Sequence, residues 1–139
     1  MLIDIIIIRG YLMKVDGEVT TGLGKAAFFL SQDFYVRNFI KNCGFKPYPG
    51  TLNVIVPEKH LDKINNVKDN CENIIKPDEG FGAVKYIEAT LNDEVMGAIV
   101  FPAKSEHTEN YLEFIAENKL RDDLNLKDGD IVSIEFRLI

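Results

Sequence analysis

Asp128-Gly129-Asp130-Ile131-Val132-Ser133-Ile134-Glu135-Phe136-Arg137-Leu138 is the most legible stretch of this chain. Asp-Gly is a turn signal. After it Val132, Ile134, Phe136 and Leu138 alternate with Ser133, Glu135 and Arg137. A period of two belongs to a strand with one buried face and one wet face. Moving upstream, Tyr111 to Ile115 is another short strand. Phe81 to Thr90 and Glu94 to Phe101 read as a hairpin turning at Asn92-Asp93. Thr51 to Val56 is a strand that follows a rigid turn, Lys46-Pro47-Tyr48-Pro49-Gly50, and stops at Pro57. Ile3 to Thr20 holds two strand-like runs around Arg9-Gly10, with an Asp16-Gly17 turn signal inside.

Helices are few. Gln32 to Cys43 places Tyr35, Phe39 and Cys43 at i, i+4 and i+8, and Gly44 suits its end. Glu117 to Leu124 reads as a short helix carrying Lys119 and Arg121. The polar region Pro57 to Gly80 accommodates a turn of helix near Leu61 and a short strand at Asn73 to Lys76. Close-spaced strands with two small helices predict a mainly β fold, a closed or nearly closed barrel. Closure also disposes of exposed strand edges.

The 139 residues form one domain's worth of chain, able to bury roughly two-thirds of the unfolded surface. With 46% hydrophobic and 27% charged residues, disorder is excluded as an overall description. Lys plus Arg is 16 against 22 Asp plus Glu, a net charge of −6, which disfavours nucleic acid as a partner. Local backbone dipoles still permit a small anionic ligand. Cys43 and Cys71, with His60 and His107, lack the spacing of a structural zinc site. Two reduced thiols in a cytoplasmic protein is the expectation. The apolar run Met1 to Ile8 is interrupted by Asp4, lacks a basic leader and is too short to cross a bilayer. No membrane partner is expected.

Four segments could carry chemistry. Gly22-Leu23-Gly24-Lys25-Ala26-Ala27 fits a dinucleotide fingerprint by letters. The required acid about 20 positions on is absent, since 42 to 46 is Asn-Cys-Gly-Phe-Lys, and no βαβ pattern follows. A Rossmann domain is rejected. What remains is a pair of glycines that let backbone N–H groups approach an anion, with Lys25 adding charge, or else a plain Gly-rich turn. Thr51 and Asn53, two apart after Pro49-Gly50, project from the same face of a strand. They suit Mg²⁺ if a triphosphate supplies the negative charge, or they merely cap the turn. Lys104-Ser105-Glu106-His107-Thr108 is a polar loop, and Glu113 follows on a strand. Glu113 is either a solvated carboxylate or an acceptor for a substrate hydroxyl. Asn118-Lys119-Leu120-Arg121 either decorates the surface with ion pairs or faces a nucleotide.

Together these segments resemble the archaeal CTP-dependent riboflavin kinases. The resemblance runs through Gly17-Glu18-Val19, Thr21-Gly22-Leu23-Gly24 and Gly44 to Asn53. It continues through Gly97 to Pro102, His107-Thr108, Lys119-Leu120-Arg121 and Leu124 to Asp130. It spans about residues 11 to 138, leaving 1–10 as an N-terminal extension of a single barrel domain over 1–139. The resemblance implies a six-stranded cradle-loop barrel. It implies transfer of the γ-phosphoryl group of CTP to the 5′-hydroxyl of riboflavin, giving FMN and CDP. By position, Gly22 to Ala27 and Asn118 to Arg121 would bind the nucleotide. Thr51 and Asn53 would hold one Mg²⁺, and Ser105 and Glu113 would contact the flavin. A catalytic role for Glu113 goes one step further, to the ribityl hydroxyl. The chain departs from the family pattern in three places. Ser105 stands where Thr is usual, Lys25-Ala26 replaces Glu-Gly, and Glu117 follows Ala116 where Pro is common.

Two other readings compete. A barrel that only binds flavin or nucleotide would have no need of a metal pair at Thr51 and Asn53. A DNA-binding barrel would need a basic stripe, and the net charge is −6.

Overall fold

The computed structural model describes residues 12–22, 29–76, 82–102 and 110–137. In chain order these form β1 (Leu12–Thr20), α1 (Asp33–Cys43), β2 (Leu52–Ile55), a 3₁₀ turn (Glu58–His60), α2 (Leu61–Asn70) and β3 (Ile74–Ile75). Then follow β4 (Val84–Leu91), β5 (Val95–Pro102), β6 (Tyr111–Ile115), α3 (Leu120–Asp123) and β7 (Ile131–Arg137).

The strands hydrogen-bond in the order β3-β4-β5-β6-β2-β1-β7. A further pairing of β4 with β7, Ala89 opposite Phe136 and Leu91 opposite Ile134, closes the ring. Six strands therefore make a closed antiparallel barrel. The short β3 occupies the part of β4's edge that β7 leaves free, Ile75 lying opposite Val84. A closed ring has no exposed edge to template aggregation.

The period of two sorts each strand into an inner and an outer face. Inward-facing Val15, Val54, Ile99, Phe114, Ile134 and Phe136 fill the barrel. On the outside, α1 lays Tyr35 and Phe39 over Tyr86, Val100 and Ile115. Phe39 meets Tyr86 edge to face at 5.7 Å between ring centroids, a favoured aromatic geometry. The Tyr35 hydroxyl donates to the Gly82 carbonyl at 2.6 Å, so the buried ring leaves no unmet O–H. Gly44 ends α1 in the left-handed conformation, its N–H bonded to the Ile40 carbonyl. Asn92 and Asp93 both take positive φ in the tight turn closed by the Glu94 N–H on the Leu91 carbonyl at 3.0 Å, within a three-residue loop between the paired Leu91 and Val95.

Three expectations need correction. Asp16-Gly17 is not a turn: β1 runs straight through it, with Asp16 opposite Ser133 and Gly17 opposite Val132. Glycine is needed there for close packing, because a β-carbon would lie 2.5 Å from Val54 Cγ1 and 2.7 Å from the Ile55 carbonyl. The helix near Leu61 is ten residues long rather than one turn. It is held by buried Ile64 with Val67 packed beside it, a thin apolar stripe in a polar sequence. The helix expected over Glu117 to Leu124 shrinks to α3, and Lys119 caps it from outside. Ile3 to Gly10 and Leu138 lie outside the described residues. Among the described residues no helix is long and apolar enough to cross a membrane.

Gly97 makes room for the ring that fills the barrel. A β-carbon on it would fall 2.7 Å from Phe114 Cζ and would also meet the Ile115 carbonyl. Gly97→Val is expected to lower unfolding stability by about 2–3 kcal/mol, as overpacking against backbone does. The check is a lower urea midpoint at unchanged slope.

Candidate active site

Register brings the candidate residues together. β1 pairs with β2 so that Thr20 lies opposite Asn53. β2 pairs with β6 so that Asn53 lies opposite Glu113. Leu52 and Val54 point into the barrel, so Thr51 and Asn53 project outward on the side opposite theirs. Glu113 is outward as well, between inward Leu112 and Phe114. Two adjacent strands, β2 with the residue just before it and β6, thus place a hydroxyl, an amide and a carboxylate on one outer wall.

The contacts agree with the register. Thr51 Oγ1 donates to Glu113 Oε1 at 3.2 Å. Asn53 Nδ2 approaches Thr51 Oγ1 at 3.5 Å. Glu113 is only 8% exposed, so the solvated-carboxylate reading is overturned. Gly22 lies directly against the Asn53 amide: a β-carbon at 22 would overlap the amide's Cγ, Oδ1 and Nδ2. The first residue of the Gly-rich segment therefore lies side by side with the Thr-x-Asn pair.

A cavity of about 280 Å³ extends this wall. Tyr48, Pro49 and Gly50 line one side, and Asn118, Lys119 and Arg121 the other, with Thr51 between them. The Tyr48 N–H donates to the Ala116 carbonyl at 2.8 Å, which fixes the spacing of the two rims. Asn118 and Lys119 are exposed, whereas Leu120 packs into the barrel core and anchors the segment. Lys119 makes an exposed ion pair with Asp122 at 3.7 Å, which contributes little. Leu23, Gly24, Lys25, Ala26, Ala27, Ser105 and His107 lie outside the described residues.

Sequence reasoning missed a cluster beside this cavity. Arg121 Nη2 donates to the Thr20 carbonyl at 3.0 Å and to Asp128 Oδ1 at 2.5 Å. Thr21 Oγ1 donates to the same carboxylate at 2.9 Å. The Arg121 guanidinium, and then the Thr21 hydroxyl, hold the Asp128 carboxyl below its ordinary range. No local pattern could announce it, since Thr21 and Asp128 are 107 positions apart.

The donor set can be tested against a divalent cation. Threonine hydroxyl, asparagine carbonyl and carboxylate are hard oxygen donors, the type Mg²⁺ takes. Among the described residues no group of three or more His, Cys, Asp or Glu could hold a metal. A cation at this wall would therefore rest on the neutral pair and on oxygens brought by a ligand, and the residues present fit that case.

Comparison with known proteins agrees in extent. The family model for CTP-dependent riboflavin kinases, described as domain of unknown function DUF120, matches residues 19–136. A riboflavin kinase of Methanobrevibacter smithii is 79% identical over 124 residues, covering 89% of this chain and 100% of the relative. One from Sulfurisphaera tokodaii is 36% identical over 135 residues, covering 94% of this chain and 99% of that protein. One from Methanothermobacter thermautotrophicus is 39% identical over 116 residues, covering 84% and 93%. With a family match over most of its length and a closed barrel that sets Gly22, Thr51, Asn53 and Glu113 on one wall, the chain belongs to the CTP-dependent riboflavin kinase family.

Proposed function

We propose that the protein phosphorylates the 5′-hydroxyl of riboflavin, with CTP as donor, giving FMN and CDP. The observation that carries the reading is the packing of Gly22 against Asn53, with Thr51 bonded to Glu113 beside it. One triphosphate can then touch the Gly-rich segment and the oxygen pair at the same time. The whole chain, 1–139, acts as one kinase domain in this reading. The family name and the names of the relatives support the substrate pair.

Phosphoryl transfer needs positioning and charge neutralisation more than covalent help. Thr51 and Asn53 would hold Mg²⁺, with a half-turn of the amide presenting Oδ1. The ion, when bound, neutralises charge on the phosphate oxygens. Backbone N–H groups of Gly22 to Ala27 would hold the phosphates and stabilise charge as it develops. Asn118, Lys119, Leu120 and Arg121 would frame the nucleoside in the cavity. Ser105 and Glu113 would contact the flavin. Glu113, buried and bonded by the Thr51 hydroxyl, would orient the ribityl hydroxyl and accept its proton. The unpaired thiols Cys43 and Cys71 suit a cytoplasmic setting.

The test is to incubate the protein with riboflavin, Mg²⁺ and each of the four ribonucleoside triphosphates in turn, and to assay FMN. FMN formed selectively with CTP is the expected result. FMN formed with ATP alone would keep the kinase and reject the donor. No FMN with any triphosphate would reject the function.

A further inference from the structure

Asp128 stands in the turn before β7 and bonds both to Thr21, the residue before Gly22, and to Arg121, which lines the cavity. Its carboxylate accepts from the Thr21 hydroxyl at 2.9 and 3.2 Å and from Arg121 Nη2 at 2.5 Å. Thr21 is the residue before Gly22, and Arg121 closes the 118–121 rim. The same Arg121 nitrogen also donates to the Thr20 carbonyl at 3.0 Å. The turn itself is pinned to β1, because the Gly129 N–H donates to the Val19 carbonyl and the Val19 N–H to the Asp130 carbonyl, each at 2.8 Å. The turn that carries Asp128 is therefore tied to β1, and from it the Thr21 and Arg121 side chains are held.

We propose that Asp128 is a positioning residue for the nucleotide, setting the gap between the start of the Gly-rich segment and the Asn118–Arg121 rim through Thr21 and Arg121. The proposal rests on the kinase reading and adds to it a residue that touches neither substrate. The alternative is a surface ion pair that only adds stability. The Asp128 side chain is 57% exposed, and exposed pairs contribute little to stability. Two bonds that tie the residue before Gly22 to a residue of the 118–121 rim have a geometric effect that a lone surface pair lacks. Misplacing a phosphate-binding segment costs affinity for the nucleotide and leaves the second substrate's contacts alone.

The experiment compares the full chain with Asp128→Ala, Asp128→Asn and Thr21→Val. Asp128→Ala is expected to raise the KM for CTP about tenfold, the scale of one lost charge-assisted hydrogen bond. The riboflavin KM should stay within about twofold. Calorimetric affinity for CDP with Mg²⁺ should fall in parallel, which reads the effect without turnover. Asp128→Asn keeps an acceptor oxygen and should recover most of the loss, and Thr21→Val should show part of it. An unchanged nucleotide KM in Asp128→Ala, with wild type active, overturns this proposal alone. Equal rises in both KM values together with a lower melting temperature would mark a structural residue and overturn it too. Wild type that forms no FMN overturns the kinase reading and this proposal together.

Discussion

Replacing Thr51 and Asn53 together by alanine is expected to cut FMN formation by at least about 10³-fold, the rate equivalent of the several kcal/mol that a divalent ion contributes. The fold should survive. Both side chains are half-buried on the outer wall, and neither belongs to the barrel interior, which Leu52 and Val54 serve on the other face of the same strand. The main structural loss is the bond from Thr51 to Glu113, worth about 1–2 kcal/mol for a buried charged acceptor. A modest drop in urea midpoint should therefore accompany a collapse in rate. The measurement is turnover across a Mg²⁺ titration, with circular dichroism as the control for folding. Residual activity that climbs with added Mg²⁺ would mean a weakened site. Wild-type turnover in the double variant would remove the metal assignment.

The barrel was legible because its strands speak in period two. Val132, Ile134 and Phe136 announce β7, and the structure buries all three. The hairpin at Asn92-Asp93 was legible because few residues tolerate consecutive positive φ. Failures came where tertiary packing, not local chemistry, chose the residue. Gly17 looks like a turn glycine, but it is there because Val54 and Ile55 press on its Cα. α2 shows only one turn in its sequence because its only strong apolar marks are Leu61, Ile64 and Val67, and its stability comes from docking on the barrel.

The site was legible only in part, for a related reason. Thr51 and Asn53 stand two apart, so one strand face carries both, and spacing alone finds them. Glu113 is 62 positions from Thr51, and only the β2–β6 register puts it alongside. The alternation of Leu112, Glu113 and Phe114 gave its direction correctly but not its burial, because an outward face counts as wet only if nothing covers it. Asp128 was hidden for the same cause. Its turn was evident, but its partners are assembled by the β1–β7 ladder and the loop after β6.

Gly22→Ala tests the adjacency on which the kinase reading depends, and its effect should be the second largest. A methyl group at 22 needs the volume that the Asn53 amide occupies. Gly22 is not at positive φ, so alanine meets no backbone strain and the clash is the whole effect. The amide is half-exposed and can swing aside at small cost in stability, but it then leaves Thr51. A displacement of about 1 Å in a positioning group costs about 10²-fold in rate, and that is the expected fall in kcat/KM. Gly17→Ala is the matched control, since its β-carbon meets Val54 and the Ile55 backbone in the barrel wall. That variant should lose stability and keep its kcat/KM per folded molecule. The pair separates the two uses of glycine in one strand and its extension. A further cycle sharpens it: adding Asn53→Ala to Gly22→Ala removes the clash, so the two losses should combine to less than their sum. Full additivity would mean that Gly22 and Asn53 act independently, and the shared site for phosphate and metal would have to be abandoned.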